Sequence, residues 1–163
     1  MAGETITLKI DTLVEPSIKL KEEDKHFFHC LKSSIQLRGQ IRTVLVCETE
    51  QGYYEVLDGT KIVRALKELG TGEVLCYNLG ALSDEEKILT RLEVSRDYFL
   101  TNYVSAATLL KSLVDSGMTE SEILHTVPYD KHKVTSLISL LDFDWNLFTV
   151  KTEASNLFGL FEE

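Results

Sequence analysis

The chain has 163 residues, of which 44% are hydrophobic and 26% charged, fractions typical of soluble globular proteins that exclude disorder along most of the chain. The net charge of −9 argues against nonspecific adhesion to nucleic acid, so any contact with DNA would need a local basic patch. No apolar run approaches the roughly eighteen residues that span a bilayer, and residues 1–4 do not resemble a signal peptide, so we expect a cytoplasmic protein without a membrane partner.

The first 82 residues alternate between predicted strands and helices. Polar and apolar residues alternate over residues 5–10 as in a half-buried strand, and a helix follows from about Lys21 to Leu37. The apolar face of this helix is predicted to contain Phe27, Phe28, Leu31 and Ile35. A hairpin of two strands, a helix after Asp58-Gly59 and a last strand are then predicted over residues 41–47, 53–57, 60–69 and 73–79.

From Ser83 onward every predicted element is helical. Residues 83–86 form a capping box with acidic residues where the helix dipole favours them, and a further helix is predicted over residues 105–116. A second capping box at residues 119–122 begins a short helix. These patterns predict an α+β fold, in which a small mixed sheet with flanking helices is followed by an all-helical segment.

The end of the helical segment has a helix-turn-helix pattern, because a short helix and a tight turn precede an amphipathic helix. Asp130 is predicted to cap this last helix. Its apolar face is predicted to contain Val134, Leu137, Ile138 and Leu141.

The three cysteines do not predict a disulfide framework or a zinc knuckle. Cys30, Cys47 and Cys76 are odd in number and widely spaced, and we expect them to be buried. Residues 26–30 could place two histidines and a cysteine on one helical turn, but the sequence offers no further ligands for this group. We therefore predict no metal site.

Several segments resemble the ParB N-terminal domain family, whose fold is shared with sulfiredoxin. Residues 34–46 are similar to the family segment S-I-x-x-x-G-Q-x-x-P-x-x-V, and residues 54–65 to its phosphate motif G-E-R-R-x-R-A. Residues 92–96 stand where the family has E-N-x-Q-R, and residues 118–141 match the spacing of its helix-turn-helix. The resemblance divides the chain into a ParB/sulfiredoxin-like α/β domain, a helical helix-turn-helix-like domain and a tail, over residues 1–82, 83–148 and 149–163.

The resemblance also implies a pocket for CTP or ATP with Mg²⁺, formed by glycine-flanked amides and cationic side chains. The matching positions are Gly39, Gln40, Gly59, Thr60, Lys61, Arg64 and Arg96. Ile62 replaces an arginine of the phosphate motif, and Thr60 stands where sulfiredoxin has its catalytic cysteine. We therefore expect a degraded pocket, weak nucleotide affinity and no catalytic residues. The alternatives are a retained CTPase or ATPase, and solvated charges at Lys61 and Arg64 on a helix that packs on the sheet.

One hypothesis for function is a DNA-binding or DNA-associated accessory protein that uses the helix-turn-helix. The candidate DNA contacts are Lys131, His132, Lys133, Thr135 and Ser136. Acidic residues at positions 120, 122 and 130 lie nearby in the sequence and weaken any basic patch. A helical bundle that only caps the α/β domain is therefore the structural alternative.

A second hypothesis is a non-catalytic module or inhibitor that binds another protein. A homodimer is a further expected assembly. Residues 155–163 resemble the C-terminal peptides by which phage and bacterial replication and late-transcription proteins bind a sliding clamp. The apolar anchors of such a peptide would be Leu157, Phe158, Leu160 and Phe161. Alternatively, these four side chains pack on the protein's own core.

Overall fold

The computed structural model describes residues 3–20 and 25–140, which form a mixed sheet and seven α-helices. The strands are β1 (Glu4–Lys9), β2 (Leu13–Val14), β3 (Val44–Glu48), β4 (Tyr54–Asp58) and β5 (Glu73–Ala81). The helices are α1 (Lys25–Arg38), α2 (Thr60–Glu68), α3 (Asp84–Val94), α4 (Arg96–Thr101), α5 (Tyr103–Asp115), α6 (Glu120–Thr126) and α7 (Lys131–Ser139). The predicted α+β class is confirmed. The predicted helix start at Lys21, Leu141 and the predicted clamp-binding peptide lie outside the described residues.

The strands lie in the order β1-β5-β3-β4-β2. β3 and β4 are antiparallel, with Val46 opposite Val56, which confirms the predicted hairpin. β1 pairs antiparallel with β5, whereas β5 with β3 and β2 with β4 are parallel pairs. β2 was not predicted, because a strand of two residues is too short to show polar and apolar alternation.

The two edges of the sheet are joined by a very short connection. β1 and β2 occupy opposite edges, yet only residues 10–12 separate them in sequence. Such a connection spans at most about 14 Å, whereas four strand spacings in a flat sheet amount to about 19 Å. The sheet therefore curls, and its edges approach each other. Ile10 lies in the connection between β1 and β2, and its backbone amide donates to the Gly72 carbonyl at 3.0 Å.

One face of the sheet packs on α1 and α2. Fully buried Val44, Val46 and Cys76 alternate with side chains on the other face, as the pleat requires. α2 contributes four buried residues, namely Ile62, Val63, Ala65 and Leu66. On α1 the predicted apolar face is only partly correct: Ile35 is buried, but Phe27 is 51% exposed. Its ring instead lies 5.0 Å below the Lys61 ammonium group.

The helices from α3 onward share a second apolar core. Leu92, Leu109, Leu110 and Leu113 are fully buried there. Both capping boxes are confirmed, with Ser83 and Thr119 each accepting the backbone amide three residues later. Asp130 caps α7 by accepting the amide of Lys133 at 3.0 Å. Of the described helices, none is long and apolar enough to cross a membrane.

A buried ion pair joins the sheet to the helical segment. Glu55 on β4 is 5% exposed and lies 3.0 Å from the ammonium group of Lys87 on α3. Its other carboxylate oxygen accepts the amide and the hydroxyl of Ser17 at 2.7 and 2.9 Å. Burial opposes ionisation of Glu55, but the bonds from Ser17 and Lys87 outweigh it and lower the pKa of this carboxyl. One side chain therefore fixes β4, α3 and the segment after β2 together.

Candidate functional site

A cavity of about 990 Å³ lies between α1, the start of α2 and the junction of α3 with α4. Its volume is at the upper end of the range typical of small-molecule sites. Apolar side chains from all three walls line it, including Leu31, Leu57, Ile62 and Phe99. Among the described residues, five basic and four acidic ones also line it, so this lining is amphipathic and nearly balanced in charge.

The start of α2 forms one wall of the cavity. Gly59 has φ 101°, a left-handed conformation that side chains disfavour, and a Cβ there would lie 3.2 Å from Cγ2 of Val44. Gly59 also gives the helix no capping side chain. The first amides of α2, at Thr60 and Lys61, therefore lie where the positive end of the helix dipole favours an anion.

A carboxylate lies beside this helix start. Asp58 forms an ion pair with Nη2 of Arg42, and both residues line the cavity. The other Asp58 oxygen accepts the hydroxyl of Ser95 at 3.3 Å, at the point where α3 gives way to α4. Arg42 and Asp58 therefore neutralise each other, and an incoming phosphate would find the Arg42 guanidinium already paired with a carboxylate.

Three other cations that line the cavity are also engaged. Lys19 forms an ion pair with Glu15. Arg91 is 8% exposed and donates from Nη1 to the Ile18 carbonyl at 2.8 Å. Arg96 donates from Nε to the Pro128 carbonyl at 2.8 Å. Four of the five basic side chains among the described lining residues therefore already contact a carboxylate or a carbonyl of the protein.

Gln40 lines the cavity but uses its amide to hold the backbone. Its Nε2 donates to the carbonyls of Leu75 and Arg42 at 2.7 and 2.9 Å, and its Oε1 accepts the Leu75 amide at 2.8 Å. The side chain thereby pairs with β5 as a strand backbone would. Gln40 fixes the wall of the cavity from which Arg42 extends, and this role was not predicted from the sequence.

Replacing Gln40 with alanine should lower the free energy of unfolding by about 1–2 kcal/mol, because three hydrogen bonds are lost and two Leu75 backbone groups lose their partner. Chemical denaturation measures this loss. Gln51→Ala in the exposed hairpin loop is the matched control and should change stability by less than about 0.5 kcal/mol. Equal effects of the two substitutions would mean that the Gln40 bonds contribute nothing.

Six of the seven predicted nucleotide-binding residues line the cavity, namely Gly39, Gln40, Gly59, Thr60, Lys61 and Arg96. The seventh, Arg64, is not among the lining residues. It pairs with Glu68 at 3.3 Å and lies over the Phe28 ring at 4.2 Å from its centroid. Ile62 lines the cavity as an apolar side chain that is 7% exposed. Asp58 and Ser95 were missed, although Asp58 stands next to the glycine of the phosphate motif.

Four of the five predicted DNA-binding residues are exposed at the start of α7, namely Lys131, His132, Thr135 and Ser136. Lys133 is only half-exposed. Its ammonium group donates to the Leu100 carbonyl at 3.1 Å and lies 3.8 Å from the centroid of the Tyr103 ring. Thr135 donates to Glu120 on α6 at 3.4 Å. The exposed basic character of α7 thus comes from Lys131 and His132.

The cysteines differ in exposure. Cys47 and Cys76 are buried as predicted, and burial raises the pKa of each thiol to about 11. The prediction was wrong for Cys30, which is exposed on α1 with its Sγ 3.6 Å from Nε2 of His26. Within residues 3–20 and 25–140, no group of three or more His, Cys, Asp or Glu side chains could hold a metal ion.

Comparisons with solved structures find the same fold in ParB proteins. C-terminally truncated ParB from Caulobacter crescentus bound to the centromeric parS site is 18% identical, with a TM-score of 0.57 over 88% of this chain and 75% of that chain. The same truncated protein bound to CTP-γ-S is 19% identical, with a TM-score of 0.52 over 90% and 83%. A pNOB8-like ParB N-domain is 12% identical, with a TM-score of 0.55 over 88% and 59%.

The sequence itself matches one family model, described as the ParB N-terminal domain, over residues 1–94. The match covers more than half of the chain and ends where α3 ends. No curated protein matches the sequence. The family motifs within the matched residues surround the cavity between α1, α2 and α3. The chain therefore belongs to the ParB N-terminal domain family.

Proposed function

We propose that this ParB-family protein is a DNA-associated accessory protein that contacts DNA through the start of α7. The observation that carries the proposal is the exposure of Lys131 and His132 in the first turn of α7, with exposed Thr135 and Ser136 about one turn further along. α6 precedes this helix by a four-residue connection, as in a helix-turn-helix. The solved ParB structure bound to parS, which shares the fold, supports the same role.

The second part of the proposal is that the cavity has lost tight binding of nucleoside triphosphates. Arg42 is paired with Asp58, Arg96 is bound to the Pro128 carbonyl, and Ile62 stands where the family has an arginine. A solved ParB structure with CTP-γ-S supports an ancestral nucleotide site in this fold. The missing forked hydrogen bond to phosphate removes an interaction of about 1.5–3 kcal/mol. The CTPase or ATPase reading is thereby disfavoured.

Replacing Lys131 with alanine should weaken binding to a generic duplex and reduce the slope of log K against log salt by about 0.9, the value for one phosphate contact. Lys9→Ala on β1, which makes the same change in net charge, should alter neither quantity. Fluorescence anisotropy across a salt series measures both. An unchanged slope for Lys131→Ala would contradict a phosphate contact at the start of α7.

Lys133 is not expected to contact a DNA phosphate, although its position in the sequence of α7 suggests such a contact. Its ammonium group is bound to Leu100 and Tyr103, so it contributes to packing between helices rather than to a basic surface. In the same assay Lys133→Ala should therefore leave the salt slope near that of the native protein, provided that the melting temperature shows the variant to be folded.

A protein-interaction module remains the second candidate function. The observation that favours it is the weak basic character of α7, where Glu120 lies beside Thr135 and Lys133 is engaged. The net charge of −9 also fits a protein partner better than DNA. Absence of measurable DNA affinity at low salt would favour this candidate, and the sliding-clamp peptide at residues 157–161 would then be the first segment to delete.

A further inference from the structure

The charged residues of the cavity are largely paired with one another. Its basic side chains are Lys19, Arg42, Lys61, Arg91 and Arg96, and its acidic ones are Glu15, Asp58, Glu93 and Asp97. Ion pairs join Arg42 to Asp58 and Lys19 to Glu15. Arg96 lies 3.7 Å from Asp97. A ligand with several negative charges would have to compete with protein carboxylates for these cations, most directly at Arg42, whose partner Asp58 is only 18% exposed.

Lys61 differs from the other basic residues of the cavity. Within the described part of the chain, its ammonium group is in no ion pair and donates to no carbonyl, and its contact is the Phe27 ring at 5.0 Å. It extends from the first turn of α2. Among the described lining residues one ammonium group is thus available, which suits one phosphate group better than three.

The rest of the cavity wall is apolar. Leu31 and Ile35 of α1, Leu57 and Phe99 contribute to it. Phe27 and Tyr98 are aromatic lining residues that remain 51% and 44% exposed. Such a surface favours the flat, weakly polar part of a ligand over a second or third phosphate.

We propose that the cavity binds a ligand with a single phosphate on a flat or apolar group, of the nucleoside monophosphate class, in preference to a triphosphate. Lys61 holds the phosphate, and the Arg42–Asp58 pair excludes further phosphates. This inference rests on the proposed loss of tight triphosphate binding and adds what the cavity accepts in its place.

The test is calorimetric titration of the full chain with CMP and AMP, and with CTP and ATP in the presence of Mg²⁺. We expect at least one monophosphate to bind at least tenfold more tightly than its own triphosphate. Lys61→Ala should weaken that binding at least tenfold. Lys67→Ala, an exposed lysine on the same helix that does not line the cavity, should leave it unchanged.

A gain-of-function variant tests separately whether the Arg42–Asp58 pair excludes triphosphates from the cavity. Asp58→Asn removes the carboxylate beside α2 and releases Arg42, so affinity for Mg²⁺-CTP or Mg²⁺-ATP should rise about tenfold, while affinity for the monophosphate should change less. Thermal melting shows whether the variant is folded, and the titrations of the native protein and of Lys61→Ala do not depend on it.

The possible results of these titrations and of the DNA assay test the inference and the proposed function separately. If neither monophosphate binds and the triphosphates are also weak, the inference is wrong and the proposed loss of triphosphate binding stands. If a triphosphate binds more tightly than its monophosphate, the inference is wrong, and the proposed loss of triphosphate binding is also wrong when that affinity is micromolar or tighter. Failure of the DNA assay contradicts the DNA-associated role alone. Equal losses in Lys61→Ala and Lys67→Ala would mean that Lys61 does not hold the phosphate.

Discussion

Replacing Glu55 with alanine should lower the free energy of unfolding by about 3 kcal/mol, because it breaks a buried ion pair and leaves Lys87 with only the exposed Asp84 carboxylate, at 3.2 Å, as its partner. Glu55 is 5% exposed and also holds both polar groups of Ser17. The loss should therefore exceed that of any surface pair. Urea denaturation at neutral pH measures it.

The matched control is Glu68→Ala, which removes a carboxylate that forms exposed ion pairs with Lys32 and Arg64. It should cost less than about 1 kcal/mol, because surface ion pairs contribute little. A Glu55→Ala protein as stable as Glu68→Ala would mean that the buried network does not stabilise the fold.

The Glu55 carboxylate also makes the free energy of unfolding depend on pH. The pKa of Glu55 is lowered in the folded protein, so its contribution to stability is complete above the pKa of an unfolded glutamate, about 4.3. The contribution is lost as the pH falls through the lower folded pKa. The stability difference between the native protein and Glu55→Gln should therefore be constant near neutral pH and shrink in acid.

Replacing Gly59 with alanine should destabilise the protein by about 2–3 kcal/mol. A non-glycine residue at positive φ costs about 1–2 kcal/mol, and the added Cβ would lie 3.2 Å from Cγ2 of Val44, which is fully buried and cannot easily move. Thermal and urea unfolding measure the loss. Because Gly59 immediately precedes α2, the wall of the cavity that this helix forms should move with it.

Gly70→Ala separates the cost of positive φ from the cost of the contact between the added Cβ and Val44. Gly70 also has positive φ, at 74°, but a Cβ there would meet nothing within 4 Å. It should cost about 1 kcal/mol from backbone conformation alone. Equal losses for Gly59→Ala and Gly70→Ala would show that the contact with Val44 is relaxed without cost.

Local signals in the sequence predicted much of the fold. Ser83, Thr119 and Asp130 cap helices through bonds to residues three positions away, so the whole interaction lies within a few residues of sequence. The hairpin was predictable because β3 and β4 are each long enough to show a strand pattern. α4 was missed because a helix of six residues gives little periodicity.

The chemistry of the cavity was less predictable, because it depends on contacts between distant positions. The motif residues Gly59, Thr60 and Lys61 could be placed at a helix start from local pattern alone. The pairing of Asp58 with Arg42 depends on how the loop after α1 meets the end of β4. The bond from Ser95 to Asp58 joins residues 37 positions apart. Similarly, the inward position of Lys133 depends on Tyr103, on a different helix.

The short connection between β1 and β2 has a consequence for folding and aggregation. Because residues 10–12 hold the two outer strands of a curled sheet near each other, neither strand is presented as the long flat edge that recruits other chains. Both outer strands also pair with partners far along the chain, as Ile6 with Cys76 and Leu13 with Tyr54. Pairing of β1 and β2 with these partners closes a large loop of chain. The hairpin of β3 and β4 is local in sequence, so we expect it to form before the two outer strands pair. The interval before they add is when the nascent sheet is open to intermolecular pairing.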